Sequence, residues 1–321
     1  MKAAYLTPAI TLFHEDGSLD LESQRKLFEN LIQQGIDGIL VEGSSSEFFA
    51  MPMDERREMA RFAIERVDHR VKLIIGTCSM VADEIVDFSN YCLEQGADAV
   101  MILPPYYFRF GAEALLQYYD RLAGKINGPI YIYNFPANTG TSVPAETVLQ
   151  LAQMHPNIVR IKDTIPGMDH TRELIKVVKS HIPQFEIYSG FDDNFAHNVL
   201  SGGDGCIGAL SNVVPEVCAA WVRAFRENDL AGIAKGQQII DRLMALQQQI
   251  SRARNELRVG EECEVLVEGF EGLTYVGRSM REAPEIDGKI YFISERELTP
   301  GQYVRVRITA AEEYDLQGVC V

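Results

Sequence analysis

Eight short apolar runs, each followed by a stretch with helical spacing, fill residues 3 to 212 of this 321-residue chain. The runs are AAYLTPAI (3–10), GILVEG (38–43), KLIIGT (72–77), DAVMILPP (98–105), PIYIYNFP (129–136), VRIKDT (159–164), FEIYSG (185–190) and GCIGALSN (205–212). Strands that are apolar throughout belong to a parallel sheet buried on both faces, and the intervening helices do the burying. DLESQRKLFENLIQQG sets Leu21, Leu27, Leu31 and Ile32 on one face and stops at Gly35. MDERREMARFAIERVD and VADEIVDFSNYCLEQG read the same way. Eight such units predict an α/β fold, a closed (β/α)8 TIM barrel. A doubly wound open sheet is the alternative, usually with fewer strands.

After the eighth run one helical pattern extends from PEVCAAWVRAF to about Leu257. From Val259 the helical period disappears, and ECEVLVEGF, TYVGRSM, GKIYFIS and YVRVRITAAE run β-rich between glycines and prolines. The expected organisation is a barrel over 1–240, a connecting helix over 241–258 and a small five-stranded, OB-like β-barrel over 259–321. With 46% hydrophobic and 24% charged residues the composition is that of a globular chain. A net charge of −16 argues against a broad electrostatic grip on nucleic acid or anionic membrane. The six cysteines (78, 92, 206, 218, 263, 320) form no CxxC pair, so buried reduced thiols are expected. The opening MKAAYLTPAITLFHEDG reads as a first strand rather than a signal peptide, and no apolar segment reaches membrane-spanning length. A reduced cytoplasm is the expected location.

Reactive sites of such barrels lie at the C-terminal ends of the strands. There the sequence places Gly43-Ser44-Ser45-Ser46-Glu47, Pro104-Pro105-Tyr106-Tyr107, the stretch Tyr133 to Gly140, Ile161-Lys162-Asp163-Thr164, and Ser189-Gly190-Phe191-Asp192-Asp193. A lysine within a barrel strand is unusual. Burial disfavours an ammonium, which makes an amine nucleophile for a ketone. The plainer alternative pairs Lys162 with Asp163 or exposes it at the strand end. Tyr133 could shuttle protons with Ser44 completing a relay. The serine turn could offer N–H groups to a carboxylate, or be an ordinary capped turn. Two features read as decoys. Gly203-Asp204-Gly205-Cys206-Ile207-Gly208 spells GxGxxG, but a helix precedes it and a strand follows, the reverse of a dinucleotide site. The six histidines (14, 69, 155, 170, 181, 197) have no paired spacing, so no metal site is expected. Tyr118-Tyr119-Asp120 lies in a helix pattern, where packing is its expected role.

GSSSE, PPYY, YNFPANTG, IKDT and SGFDD resemble, in order and spacing, the motifs of the dihydrodipicolinate synthase/N-acetylneuraminate lyase family. The resemblance covers residues 1 to roughly 240. It implies a (β/α)8 barrel, usually a homotetramer, and a Schiff base between lysine and pyruvate or a 2-keto acid. Residue by residue it implies Lys162 as the Schiff-base lysine and Tyr133 as acid/base. It implies Ser44 as the link to a second tyrosine, Tyr107, delivered by a neighbouring subunit, and Ser45 as a pyruvate-carboxylate ligand. Asn138, Thr139, Thr164, Gly190 and Gly208 complete the implied substrate-binding set. No metal or organic cofactor is implied beyond the covalent Schiff base on Lys162. The lysine-biosynthetic members carry an arginine where this chain has Asn138, so a carboxylate partner loses its bidentate clamp. The motifs resemble more the aldolases of 2-keto-3-deoxy sugar acids or 4-hydroxy-2-oxo acids. The implied function is a pyruvate-dependent class I aldolase. The alternatives are a dihydrodipicolinate synthase and, from another class, a disabled barrel serving as a scaffold. Ser46 replaces a glycine, which strains the turn if its φ is positive.

RLMALQQQISRARNELRVGEECEVLVEGF, GRSMREAPEIDGKIYF and PGQYVRVRITAAEEYDLQG resemble the C-terminal TRAM domain of ribosomal-protein methylthiotransferases. The resemblance implies a module that recognises a protein or RNA target. The CxxxCxxC core of that family is absent from the sequence, so methylthiotransfer is not expected. Residues 251–321 carry nine basic and fourteen acidic residues, a net of −5, which favours a protein partner over RNA. The aldolase family continues after its eighth unit with further helices that pack on the barrel. Their replacement here predicts exposed apolar surface and a weakened tetramer or dimer. The pairing is that of a fusion or chimera.

Overall fold

The computed structural model describes residues 1–282 and 288–321, which form two compact units, Met1–Gln237 and Gln238–Val321. In the first, β1 (Ala4–Pro8), β2 (Gly38–Val41), β3 (Lys72–Gly76), β4 (Ala99–Ile102), β5 (Ile130–Asn134), β6 (Ile158–Asp163), β7 (Glu186–Ser189) and β8 (Gly205–Ile207) close in sequence order. Every pairing is parallel, and β1 pairs with both β2 and β8. The eight runs are therefore eight strands, and the open-sheet alternative falls because no edge remains.

Around the barrel lie α1 (Leu21–Gln33), α2 (Met53–Val67), α3 (Ala82–Gln95), α4 (Ala112–Ala123), the single turn α5 (Pro136–Thr139), α6 (Ala145–Met154), α7 (Asp169–Leu174), α8 (Phe195–Leu200) and α9 (Pro215–Glu227). α10 (Leu230–Glu256) begins in the first unit and continues into the second. The expected single helical pattern after β8 is broken. Asn228 takes a left-handed conformation (φ 57°), and its N–H caps the carbonyls of Ala224 and Phe225, a stop that asparagine tolerates. The buried face of α1 also differs from expectation. It is Gln24, Phe28 and Leu31, because the Gln24 amide is satisfied by Ile10 O and Leu12 N, each at 3.1 Å. Tyr118 and Tyr119 donate to the carbonyls of Leu103 and Ile102, which anchors α4 to the end of β4.

Alternate residues of each strand point inward. Leu6, Leu40, Ile74, Met101, Tyr131, Tyr133, Tyr188 and Ile207 form one packed interior. The GxGxxG stretch turns from α8 into β8, and its glycines are steric. A Cβ on Gly203 would stand 1.9 Å from Asn198 Oδ1, and one on Gly205 2.1 Å from the Ala4 carbonyl oxygen.

The second unit closes a five-stranded barrel from β9 (Glu262–Glu271), β10 (Thr274–Arg278), β11 (Ile290–Ile293), β12 (Tyr303–Ala311) and β13 (Leu316–Cys320). The order is β10-β11-β13-β12-β9, and only β11 and β13 run parallel. Val265, Val267, Ile290, Phe292, Val306 and Ile308 fill it. Of the GRSMREAPEIDGKIYF motif, residues 283–287 lie outside the described residues. All six cysteines are free thiols, and those of the first barrel are buried. Among the described residues no helix is long and apolar enough to cross a membrane, and no group of three or more His, Cys, Asp or Glu side chains could hold a metal ion.

Candidate active site

β6 sends two cations into the barrel, Arg160 (3% exposed) and Lys162 (4%). Arg160 lies between the rings of Tyr131 and Tyr188, at 4.4 and 4.3 Å, and pairs with Glu186 near the start of β7. Lys162 lies one layer further along, at the C-terminal end. It has no carboxylate partner among the described residues, and its Nζ stands 4.3 Å from the ring centre of Tyr133. The β5–β6 register sets Tyr133 beside Lys162 and Asn134 beside Asp163. With a side-chain period of two, the first pair faces inward and the second outward, under the helices.

Asp163 is therefore not the partner of Lys162. Its carboxylate receives Asn134 Nδ2 at 2.7 Å, Thr171 Oγ1 at 2.7 Å and His170 Nδ1 at 3.0 Å. His170 Nε2 meets the Val143 carbonyl at 3.1 Å. Burial works against a charged His170 ring, but the hydrogen bond and charge of Asp163, with the Val143 carbonyl and Glu173, outweigh it and hold its pKa above the ordinary histidine value. Sequence spacing gave no signal for His170.

The Tyr133 hydroxyl lies 3.3 Å from Ser44 Oγ, and the Tyr133 ring stacks on Phe135. Ser44 opens a 3-10 turn after β2. The amides of Ser46 and Glu47 close it on Gly43 and Ser44, which leaves the first amides, those of Ser44 and Ser45, without a partner inside the turn. The strain expected at Ser46 falls elsewhere. Glu42 (φ 61°) and Glu47 (φ 57°) take the left-handed conformation, while buried Ser46 donates to the Ala9 carbonyl at 2.6 Å.

Glu42 was not foreseen as a site residue. It is fully buried, and Arg56 of α2 pairs with it while donating to the carbonyls of Cys78 and Gly76. The rings of Phe48 and Phe88 flank the guanidinium. Burial pushes the Glu42 carboxyl up to about 7, against the pull of Arg56.

The remaining candidates divide. Tyr107 is 79% exposed and packs edge-on against Phe108; among the described residues of one chain, no hydrogen bond joins it to Ser44 or Tyr133. Asn138 is exposed on α5. The Thr139 hydroxyl is engaged by the carbonyls of Phe135 and Thr141. It holds its own turn, so donating to a substrate would have to displace those partners. Thr164 is buried with an unpartnered hydroxyl. A Cβ on Gly190 would fall 1.8 Å from that oxygen, and one on Gly208 2.2 Å from Asp192 Oδ1, so both glycines admit close neighbours. Arg109, which sequence reasoning passed over, lies against Gly140, its Cγ 3.5 Å from where a Cβ would stand.

Residues 2–268 match the dihydrodipicolinate synthetase family. The chain belongs to that family. Residues 259–321 match the TRAM domain, so 259–268 are common to both matches. Membership makes the chain an enzyme of the lyase class. It is 37% identical over 235 residues to YagE of Escherichia coli (strain K12), provisionally named a 2-dehydro-3-deoxy-D-gluconate aldolase, covering 73% of this chain and 78% of YagE. It is 39% identical over 229 residues to YjhH of the same strain, provisionally named a 2-dehydro-3-deoxy-D-pentonate aldolase, covering 71% and 76%. A 4-hydroxy-tetrahydrodipicolinate synthase of Kosmotoga olearia is 36% identical over 228 residues, 71% and 76% of the two chains. The crystal structure of YagE in complex with pyruvate superposes with a TM-score of 0.74 at 35% identity, over 78% of this chain and 84% of that one.

Proposed function

We propose that the barrel is a class I aldolase that cleaves a 2-keto-3-deoxy sugar acid or a 4-hydroxy-2-oxo acid to pyruvate and an aldehyde. The observation that carries this reading is the buried Lys162 amine over the ring of Tyr133, whose hydroxyl reaches Ser44. In the proposed reaction Lys162 attacks the C2 ketone and water leaves, forming an iminium. Tyr133 takes the proton of the C4 hydroxyl, the C3–C4 bond breaks, and its electron pair enters the iminium. An aldehyde departs. The remaining enamine is protonated at C3 and hydrolysed to pyruvate and free Lys162. Ser44 relays the proton, and Ser45 with the unpartnered amides of its turn receives the carboxylate. Asn138, Thr164 and the backbone at Gly190 and Gly208 would meet the rest of the substrate. Tyr107, exposed in the single chain, would complete the relay from a second copy in a homo-oligomer.

The names of YagE and YjhH support the sugar-acid substrate. A second reading, 4-hydroxy-tetrahydrodipicolinate synthase, draws on the Kosmotoga relative and on Arg109, which keeps a guanidinium beside the turn where Asn138 replaces the expected arginine. Pyruvate release from 2-keto-3-deoxy sugar acids, against condensation of pyruvate with aspartate semialdehyde, separates the two. For the functional division we propose an aldolase barrel over 1–240, a connecting helix over 241–258 and a TRAM module over 259–321. The acidic balance of that module favours a protein partner.

Borohydride reduction in the presence of pyruvate tests the chemistry. The intact mass of the wild type should rise by one reduced pyruvate adduct, and Lys162→Ala should take up none. An unlabelled wild type rejects the mechanism, and a labelled Ala variant rejects the lysine.

A further inference from the structure

The side chains facing outward behind Lys162 and Tyr133 close a circuit of hydrogen bonds. Asn134 Nδ2 donates to Asp163 at 2.7 Å, Asp163 faces His170 Nδ1 at 3.0 Å, His170 Nε2 faces the Val143 carbonyl at 3.1 Å, and the Val143 N–H donates to Asn134 Oδ1 at 2.9 Å. Val143 ends the segment that returns from α5, the turn carrying Asn138 and Thr139. Asn134 and Asp163 are the chain neighbours of Tyr133 and Lys162. The circuit thus ties the turn at the mouth to both strands that present the candidate reactive groups.

The chemistry of the ring decides its protonation state. Both partners of His170 are acceptors. The Val143 group is a carbonyl, and Asp163 already receives Asn134 and the Thr171 hydroxyl, as a carboxylate does. A neutral imidazole has one N–H and can serve only one of them, leaving a lone pair against the other. An imidazolium serves both.

We propose that His170 is a positioning residue whose doubly protonated ring clamps the turn after β5 to Asp163, so that the site is assembled while the ring holds both protons and loosens when it loses one. What the clamp positions rests on the Schiff-base reading above; the protonation state does not.

The charged groups acting on the ring are Asp163 from β6 and Glu173 from its own helix. The segment after β5 offers the uncharged Val143 and Asn134. Of the elements packed on α7, α6 carries only the exposed Glu146, and the one acid of β7, Glu186, is paired with Arg160 and Lys2. The π-helical turn that continues α7 carries Lys176 and Lys179, the latter paired with Asp204. The direction of the shift agrees with the geometry, since the folded state favours the charged ring. The clamp is fully present below the ordinary histidine value and is lost as pH rises through the higher folded value.

The test compares wild type with His170→Gln. The rate of pyruvate labelling under cyanoborohydride is followed by intact mass from about pH 6 to about pH 9.5, a range spanning the histidine titration. Displacing the turn should lower the rate about tenfold in the variant at the acid end. The gap should close to within about twofold at the alkaline end, where the wild type has also lost its clamp. A purely structural role gives a gap independent of pH, and that result overturns the proposal. Nitrogen-15 NMR of uniformly carbon-13/nitrogen-15-labelled wild type, with His170 assigned from its sequential backbone connectivity, reads the ring directly and does not depend on the variant folding. Two protonated ring nitrogens at about pH 7 support the clamp, and a neutral ring there overturns it. A wild type that takes no pyruvate rejects the Schiff-base reading, while the NMR still decides the state of His170.

Discussion

Glu42 combines three costs at one residue: a left-handed backbone without glycine, complete burial, and one carboxylate oxygen with no partner. What these costs support is position. The Glu42 carbonyl lies where a Cβ on Gly76 would be, at 2.0 Å, and Arg56 binds Glu42 and the end of β3 at once. The chain leaves this residue directly into the turn that presents Ser44 to Tyr133. The carboxyl is pushed by burial from 4.5 to about 7 in the folded protein. A raised folded value means that the stability linked to Glu42 is full below about 4.5 and is lost as pH rises through about 7. Glu42→Gln does not titrate. The melting temperature of the wild type should therefore fall relative to that of the Gln variant between about pH 5 and about pH 8, and thermal melts across that range check it. A difference that stays constant with pH sinks the argument. Nothing in VEGSSSE marks the glutamate as buried, because an acid at a strand end before a serine turn reads as solvated. The lysine was legible for the opposite reason: a cation inside an apolar strand run conflicts with its surroundings in the sequence itself.

At the scale of elements, the ends of β6 and β7 are fitted to each other through Gly190. Its N–H donates to the Asp163 carbonyl at 2.8 Å, and the Thr164 N–H donates to the Asn134 carbonyl at 2.8 Å. A methyl group on Gly190 would meet Thr164 Oγ1, Cβ and Cα at 1.8, 2.7 and 3.0 Å. Rotation of the hydroxyl relieves only the first of these, so the strand ends must part. Gly190→Ala should cost on the order of 1 to 3 kcal/mol, read as a lower denaturation midpoint, and should slow pyruvate labelling by displacing the strand that carries Lys162. An Ala variant with unchanged midpoint and labelling refutes this account. The eight strands were legible because parallel strands buried on both faces leave unbroken apolar runs. The faces of the helices were less so. Gln24 is buried in α1 because two backbone groups of the loop after β1 satisfy its amide, a long-range pairing to which a helical period is blind. The stop at Asn228 was missed because asparagine does not break a helix pattern as proline does.

At the scale of the molecule, the proposed proton relay has two of its three hydroxyls within one chain. Ser44 and Tyr133 are in contact, and Tyr107 stands exposed beside Phe108. An aromatic pair left bare on a loop above a barrel mouth is suited to burial against another copy of the chain. If the third hydroxyl comes from a second copy, each working site needs Lys162 from one subunit and Tyr107 from the other. Lys162→Ala and Tyr107→Phe should then each be impaired alone. In a hybrid oligomer the Phe subunit keeps its lysine and receives an intact tyrosine from the Ala subunit, which rebuilds a complete site. Mixing the two variants under conditions that allow subunit exchange should therefore restore pyruvate release beyond the sum of the separate samples, with sedimentation velocity confirming an oligomer. If Tyr107 acts within its own chain, every site in the hybrid retains one lesion and no activity returns. A monomer on sedimentation, combined with full activity of the Tyr107→Phe variant, would remove Tyr107 from the relay altogether. It would leave Tyr133 and Ser44 to move the proton alone.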